Sequence, residues 1–242
     1  MESLNTIGIL GGMSSAATGE YYNLINQKVK SSKGGHTIAE LIICSVNFAN
    51  IERFVRAQNW TEAGAYLAEK AKRVENAGAD CLFLATNTLH RVREDIKSAI
   101  SIPFIDIFET VSKEIKVQGK TKIGILGTYP VMTDSFYVEA YRDVGVDLVG
   151  PTEEEKREID RIIFDEMTHH KFLPSSKDYF IRTIKNLADR GAEGIILGCT
   201  EIKMLINQND IPQVPLFDTT DLHCEMAAKI CTGEVALNGF VL

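Results

Sequence analysis

The chain carries one stretch of sequence twice. Residues 79–88 read ADCLFLATNT and residues 192–201 read AEGIILGCTE, and a gapless alignment sets Thr86 on Cys199, 113 positions on. Two more pairs keep nearly that spacing. TIGILGG from Thr6 matches KIGILGT from Lys122, with Gly8 and Gly124 116 apart; Pro103–Asp106 matches Pro215–Asp218, 112 apart. Three segments in one order at nearly one offset indicate a duplication, not chance likeness between strand–helix units. Two similar halves facing each other predict a cleft with one equivalent residue on each wall. Here those residues are an alcohol and a thiol.

Each half reads as alternating strands and helices. Thr6–Leu10 is a short apolar run ending in Gly11-Gly12, hence a buried strand entering a tight turn, and Ser14 or Ser15 caps a helix running to Val29. Strands are expected at Leu41–Val46, Cys81–Ala85 and Phe104–Ile107, with helices at Thr61–Ala77, Thr88–Ala99 and Phe108–Val117. The pattern restarts with strands at Ile123–Leu126 and Ile195–Leu197, and Leu148-Val149 leads to Pro151. Helices are expected at Ser135–Val144, Glu153–Met167, Tyr179–Arg190, Glu201–Ile206 and Leu222–Thr232. Apolar strands alternating with helices predict parallel sheets covered on both faces. The expected fold class is therefore α/β: two similar lobes related by a pseudo-twofold, each a mainly parallel sheet flanked by helices, with the active site in the cleft. Residues 1–117 with 216–242 form the first lobe, the C-terminal helix returning to it, and residues 118–215 the second.

Composition removes several classes of function. A net charge of −7 with no basic run gives nucleic acid no phosphate footprint. No apolar stretch reaches the 18 or so residues a membrane-spanning helix needs, and MESLNTIGIL has neither a charged start nor a long apolar run, so no export signal is expected. Five cysteines without framework spacing read as reduced thiols in a cytoplasmic protein. His169-His170 does not repeat at helical spacing and there is no CxxC, so no metal is expected. GILGGM is not the dinucleotide pattern GxGxxG, and no lysine stands in a pyridoxal phosphate context.

In open α/β sheets ligands lie beyond the carboxyl ends of strands. Thr86 and Cys199 both sit there, each followed by an expected helix start, where backbone N–H groups lower a thiol's pKa. The Cys199 thiol is thus expected to fall toward neutrality, while Cys44, Cys81, Cys224 and Cys231 read as small buried hydrophobes.

With ATNTLH at 85–90, GCTEI at 198–202 and the opening GILGGM, nearly the whole chain resembles the cofactor-independent aspartate/glutamate racemases. The resemblance implies two acid/base residues, one per lobe, flanking the substrate α-carbon, one removing the α-proton and the other returning a proton from the opposite face. In that family both are usually cysteines; here Thr86-Asn87-Thr88 replaces the usual Cys-Asn-Thr. An alcohol is a far weaker acid than a thiol. Either Thr86 still relays protons, helped by water or a carboxylate, and the two enantiomers are treated unequally, or only the Cys199 face works. Relatives similar to this chain in carrying Thr here are regarded as racemases favouring L-aspartate or L-glutamate, and the rest of the pattern favours that reading. The alternatives are a single-cysteine member of the superfamily, an arylmalonate-type decarboxylase or cis-trans isomerase, or a non-catalytic binder of small acids.

The resemblance also implies a binding set. Asn87, Thr88, Thr200 and Glu201 would hold the α-carboxylate and amino group, with Thr128 and Thr133 as pocket hydroxyls. Met13 and Ser14 would form the pocket edge, and Arg53 and Lys171 are the candidate cations for the side-chain carboxylate. His90 stands near the site. The implied partner is a small acidic amino acid, and the implied assembly a homodimer.

Overall fold

Runs such as Ile7–Gly11 and Ile195–Leu197 offer no polar side chain to water, so they are stable only with both faces covered. In the computed structural model, which describes residues 4–240, each becomes a central strand. The chain divides into two compact units, Met1–Thr110 with His223–Leu242 and Val111–Leu222.

In the first unit β1 (Ile7–Gly11) leads through α1 (Ser15–Lys33) to β2 (Leu41–Ser45). Helices α2 (Phe48–Arg56) and α3 (Trp60–Asn76) follow, then β3 (Cys81–Leu84), a 3-10 turn at Thr88–Val92, α4 (Arg93–Ala99), β4 (Phe104–Ile105) and α5 (Ile107–Val117), which begins in the first unit and continues as part of the second from Val111. The second unit runs β5 (Lys122–Leu126), α6 (Tyr129–Thr133), α7 (Ser135–Asp143), β6 (Asp147–Val149), α8 (Glu153–Arg161), α9 (Pro174–Asp189), β7 (Ile195–Leu197), α10 (Ile202–Leu205) and β8 (Leu216–Asp218), and α11 (Thr219–Cys231) begins there and continues as part of the first unit from His223. All pairings are parallel, and the two sheets share one order, β2-β1-β3-β4 and β6-β5-β7-β8.

The repeat has physical content. A Cβ on Gly8 would lie 2.5 Å from Val74 Cγ1 and 2.9 Å from Ala79 Cβ; one on Gly124 would lie 2.5 Å from Ile195 Cδ1 and 3.1 Å from Leu187 Cδ1. In both units the central strand gives up a side chain so that a helix can press onto the sheet. An acidic residue before the third strand ties down the start of the first: Asp80 accepts from the Thr6 N–H at 2.7 Å, and Glu193 from the Thr121 and Lys122 N–H groups at 2.8 and 2.9 Å. The final strand of each unit meets an aspartate that caps the next helix. Asp106 Oδ1 accepts from Phe108 N–H at 2.7 Å, and Asp218 Oδ1 from Thr220 N–H at 2.9 Å.

Several expected elements differ. Thr88–Ala99 is a 3-10 turn followed by a short helix, and Glu201–Ile206 shrinks to the four residues of α10. The helix expected over Glu153–Met167 stops at Arg161, passes through a π-helical turn at Ile162–Glu166 and a 3-10 turn, and ends at His170 with φ 57°. Glu166 is buried there and accepts from Arg161 at 2.9 Å and from the Ser176 hydroxyl, contacts that periodicity does not show. Helix α2 lies in the segment NFANIERF; the Asn47 side chain caps it, accepting from Ala49 N–H at 3.1 Å. Among the described residues no helix is long and apolar enough to cross a membrane, and no group of three or more His, Cys, Asp or Glu could hold a metal ion.

Candidate active site

A parallel sheet puts all its carboxyl ends on one edge, so the loops after those ends gather there. In the first unit, Ala85 N–H donates to Leu10 O at 2.9 Å and Val46 N–H to Gly11 O at 2.9 Å. These bonds bring the ends of β1, β2 and β3 together. Gly12, with φ 91°, fits between them because a Cβ would sit 2.3 Å from Val46 O. Thr18 holds this turn by accepting from Gly12 N–H at 2.7 Å. Met13 follows, buried, and Ser14 caps α1, accepting from Ala17 N–H at 3.3 Å.

Thr86 lies two residues past β3, half-buried with Asn87 and Thr88. Its N–H turns back to Leu84 O at 2.9 Å. Its carbonyl accepts from His90 Nδ1 at 2.7 Å. Arg53 is exposed in the last turn of α2, its guanidinium 5.3 Å from the centre of the Phe54 ring.

The second unit repeats the arrangement. Gly198 N–H donates to Leu126 O at 2.7 Å, joining the ends of β5 and β7. Cys199, Thr200 and Glu201 follow, all half-buried. The Cys199 thiol donates to Glu201 Oε2 at 3.0 Å, and the Thr200 hydroxyl donates to the same oxygen at 2.7 Å. Thr128 precedes α6 and is half-buried; Thr133, exposed at the end of α6, donates its hydroxyl back to Tyr129 O at 2.8 Å. Lys171 is exposed in the segment before α9, its N–H bonded to Glu166 O at 2.9 Å.

The electrostatics correct one expectation. The Cys199 thiol is not pushed toward neutrality but held well above the ordinary thiol range. Burial contributes most, then the Glu201 carboxylate and its hydrogen bond, with Asp160 adding to the rise. The helix start expected to oppose this is the four-residue α10, beginning three positions beyond the sulfur. Two site neighbours make contacts that the sequence does not show. Asp160, on the charged face of α8, accepts from Tyr129 N–H at 2.6 Å and so fixes the loop after β5. His90, visible only as a lone histidine in ATNTLH, is fully buried and bonded to Thr86.

Comparison with known proteins fits this geometry. The sequence pattern of the Asp/Glu/hydantoin racemase family matches residues 10–227. The chain is 24% identical over 213 residues to the broad-specificity amino-acid racemase RacX of Bacillus subtilis (strain 168), covering 85% of this chain and 90% of that one. A candidate Asp/Glu racemase from Yersinia pestis shares 37% identity over 94% of this chain and 99% of its own, with a TM-score of 0.90. PH1733, an aspartate racemase homologue from Pyrococcus horikoshii OT3, shares 33% over 96% and 100%, with a TM-score of 0.84. With its two parallel sheets in one strand order and a family match from Leu10 to Ala227, the chain belongs to the Asp/Glu/hydantoin racemase family.

Proposed function

We propose that the protein racemises an acidic amino acid, aspartate or glutamate, without a cofactor, moving protons at the α-carbon with Cys199 on one face and Thr86 on the other. The observation that carries this reading is the equivalence of Thr86 and Cys199 just past the third strand of each unit, the Cys199 copy holding a built-in proton acceptor.

At rest the thiol is protonated and donates to Glu201. Glu201 takes that proton, leaving the thiolate, which removes the α-proton while the C–H electron pair stays on the substrate. The developing charge spreads into the substrate α-carboxylate, held by hydroxyls and N–H groups of Asn87, Thr88 and Thr200. The carbanion then takes the Thr86 hydroxyl proton from the opposite face. Solvent reprotonates the Thr86 oxygen, and one proton leaves the Cys199–Glu201 pair, which balances the cycle. Glu201 repels a carboxylate and attracts the substrate ammonium, whose positive charge opposes the rise in the thiol's pKa.

In the reverse direction Thr86 must act as the base, and an alcohol does this poorly at neutral pH. The enantiomer deprotonated by Cys199 therefore turns over faster at saturation, and by the resemblance it is the L form. Arg53 and Lys171 supply positive charge for the side-chain carboxylate, Met13, Thr128 and Thr133 line the pocket, and the working unit is a homodimer, which sedimentation tests. A proton-exchange NMR assay in deuterium oxide against L- and D-amino acids tests the mechanism: both enantiomers of one acidic amino acid acquire α-deuterium, and Cys199→Ala stops it. Rapid exchange persisting in Cys199→Ala removes the mechanism.

The protonated state of Cys199 also suits a second reading, in which a substituted malonate loses carbon dioxide and the thiol protonates the resulting carbanion on one face. Substituted malonates in the same assay separate the two.

A further inference from the structure

We propose that His90 is a positioning residue for Thr86: its imidazole clamps the Thr86 peptide to the start of α5 and so aims the Thr86 hydroxyl. The inference rests on the racemase reading above and concerns the half that carries the weaker acid.

The geometry assigns the tautomer. A carbonyl only accepts, so the 2.7 Å contact with Thr86 O puts the proton on Nδ1. Nε2 then keeps its lone pair and accepts from Ile107 N–H at 3.2 Å. Both ring nitrogens are used, the side chain is fully buried, and no position remains for a second proton. The ring is fixed edge-on by Phe104 and Phe108, with centroids 5.6 and 5.5 Å away. Ile107 is a firm anchor because the preceding Asp106 caps α5 and pairs with Arg93 at 3.2 Å.

Only one copy of the repeat has a histidine at this position. At the offset that sets Thr86 on Cys199, His90 falls on Lys203, which extends toward Asp218, 4.0 Å away. The second copy uses Glu201 on the reacting group itself, whereas the first fixes the backbone behind it. The difference follows from the chemistry. Oxygen is smaller than sulfur and its bond to carbon is shorter, so an alcohol reaches less far, and a small displacement takes it out of proton-transfer range. The cationic and neutral alternatives also differ in consequence: a neutral imidazole orients the peptide without adding charge beside a developing carbanion.

The test compares racemisation of aspartate and glutamate with α-deuterium appearing in unreacted substrate, which reports carbanion return on the Cys199 face. His90→Gln keeps an acceptor near Nε2 and loses the donor near Nδ1; His90→Asn keeps the donor. His90→Gln should lower the racemisation kcat about tenfold or more with KM within roughly threefold, while return exchange falls less than about threefold. His90→Asn gives up the tie to Ile107 N–H, so it should shift the ratio of the two rates in the same direction, by about threefold or more. A proportional loss of both rates in folded His90→Gln overturns the role, as does an unchanged racemisation rate. If His90→Gln does not fold, an unshifted ratio in folded His90→Asn overturns it equally. If the unaltered protein incorporates no α-deuterium into any acidic amino acid, the racemase reading fails and the role with it; exchange in the unaltered protein with a constant ratio across variants removes the role alone.

Discussion

Lowering the pH from 7.5 to 5 should cost the fold about 4 kcal/mol, and two buried histidines set that number. His90 and His223 are both fully buried, with ring centroids 6.0 Å apart. His223 donates from Nε2 to Ile105 O at 2.9 Å and accepts at Nδ1 from the Tyr21 hydroxyl at 2.8 Å, so it too is neutral with both nitrogens engaged. Burial pushes His90 down to about 4 despite the opposing charge of Asp106, with Arg93 and Lys97 adding a small further push. Burial and the neighbouring His90 push His223 down to about 3, with Asp106 and the Ile105 carbonyl opposing. Above the ordinary value of 6.5 both states of the protein are neutral at these positions, and the histidines add no pH dependence. Below it the unfolded chain binds two protons that the folded chain refuses, so stability falls with pH until the folded values are reached. At pH 5 each site then contributes roughly 2 kcal/mol of lost stability, and the slope approaches about 2.7 kcal/mol per pH unit. Glu75, Glu155, Glu158 and Glu225, all held below their ordinary 4.5, lose their stabilisation mainly beneath this window. Urea unfolding at pH 7.5, 6.5, 5.5 and 5.0, at constant m-value, measures the slope. His223→Gln should remove about half of it. A loss under about 1 kcal/mol across the range, or an unaltered slope in His223→Gln, refutes the reasoning.

Replacing the thiol's proton acceptor, Glu201→Gln, should lower racemisation on the order of a hundredfold, because the thiol then has no carboxylate to receive its proton; the initial rate with each enantiomer reads it. Thr86→Cys should bring the turnover of the two enantiomers closer together, measured by circular dichroism from each pure enantiomer. Gly8→Ala should destabilise by about 1–3 kcal/mol, since the new methyl meets Val74 Cγ1 at 2.5 Å and the Cys81 carbonyl at 2.7 Å. Gly19→Ala, in α1 with nothing within 4 Å of the new Cβ, should instead stabilise by about 0.5–1 kcal/mol in thermal or urea unfolding.

The strands were legible because a buried parallel strand is a continuous apolar run, and such runs as Cys81–Leu84 and Ile195–Leu197 have no other explanation. The duplication was legible because Gly8 and Gly124 answer one steric demand, and Asp106 and Asp218 one capping demand. Side-chain direction was not. GCTEI places Glu201 two residues from Cys199, and nothing in that spacing says that the thiol is buried or that the Glu201 carboxylate folds back onto the sulfur, which together reverse the expected pKa shift. Asp160 was hidden for a related reason, and of His90 the sequence showed its place near the site but not its bond. Each acts through one long-range or backbone contact, to Tyr129 N–H and Thr86 O, and such contacts leave no periodic trace. The π-helical turn at Ile162–Glu166 was invisible because Ser176, which binds Glu166 and sits ten residues on, belongs to the next helix.

On the proposed racemase reading, the divergence between the copies accounts for two different acid/base groups in a duplicated unit. A thiol tolerates imperfect placement but needs help losing its proton, since burial and nearby carboxylates oppose the charge; a carboxylate hydrogen-bonded to the sulfur supplies that help. An alcohol gains little from the same partner at neutral pH, because its ordinary acidity lies too far from that of a carboxylic acid for full transfer. What an alcohol needs is orientation, so that its proton moves only as the carbanion accepts it. The first copy accordingly lacks a Glu201 counterpart, Thr88 standing at that position, and carries instead a neutral imidazole behind the Thr86 peptide. On that reading the buried histidine, with both nitrogens committed to the Thr86 backbone and to α5, stands where the other copy has Lys203 because the group it orients is an alcohol.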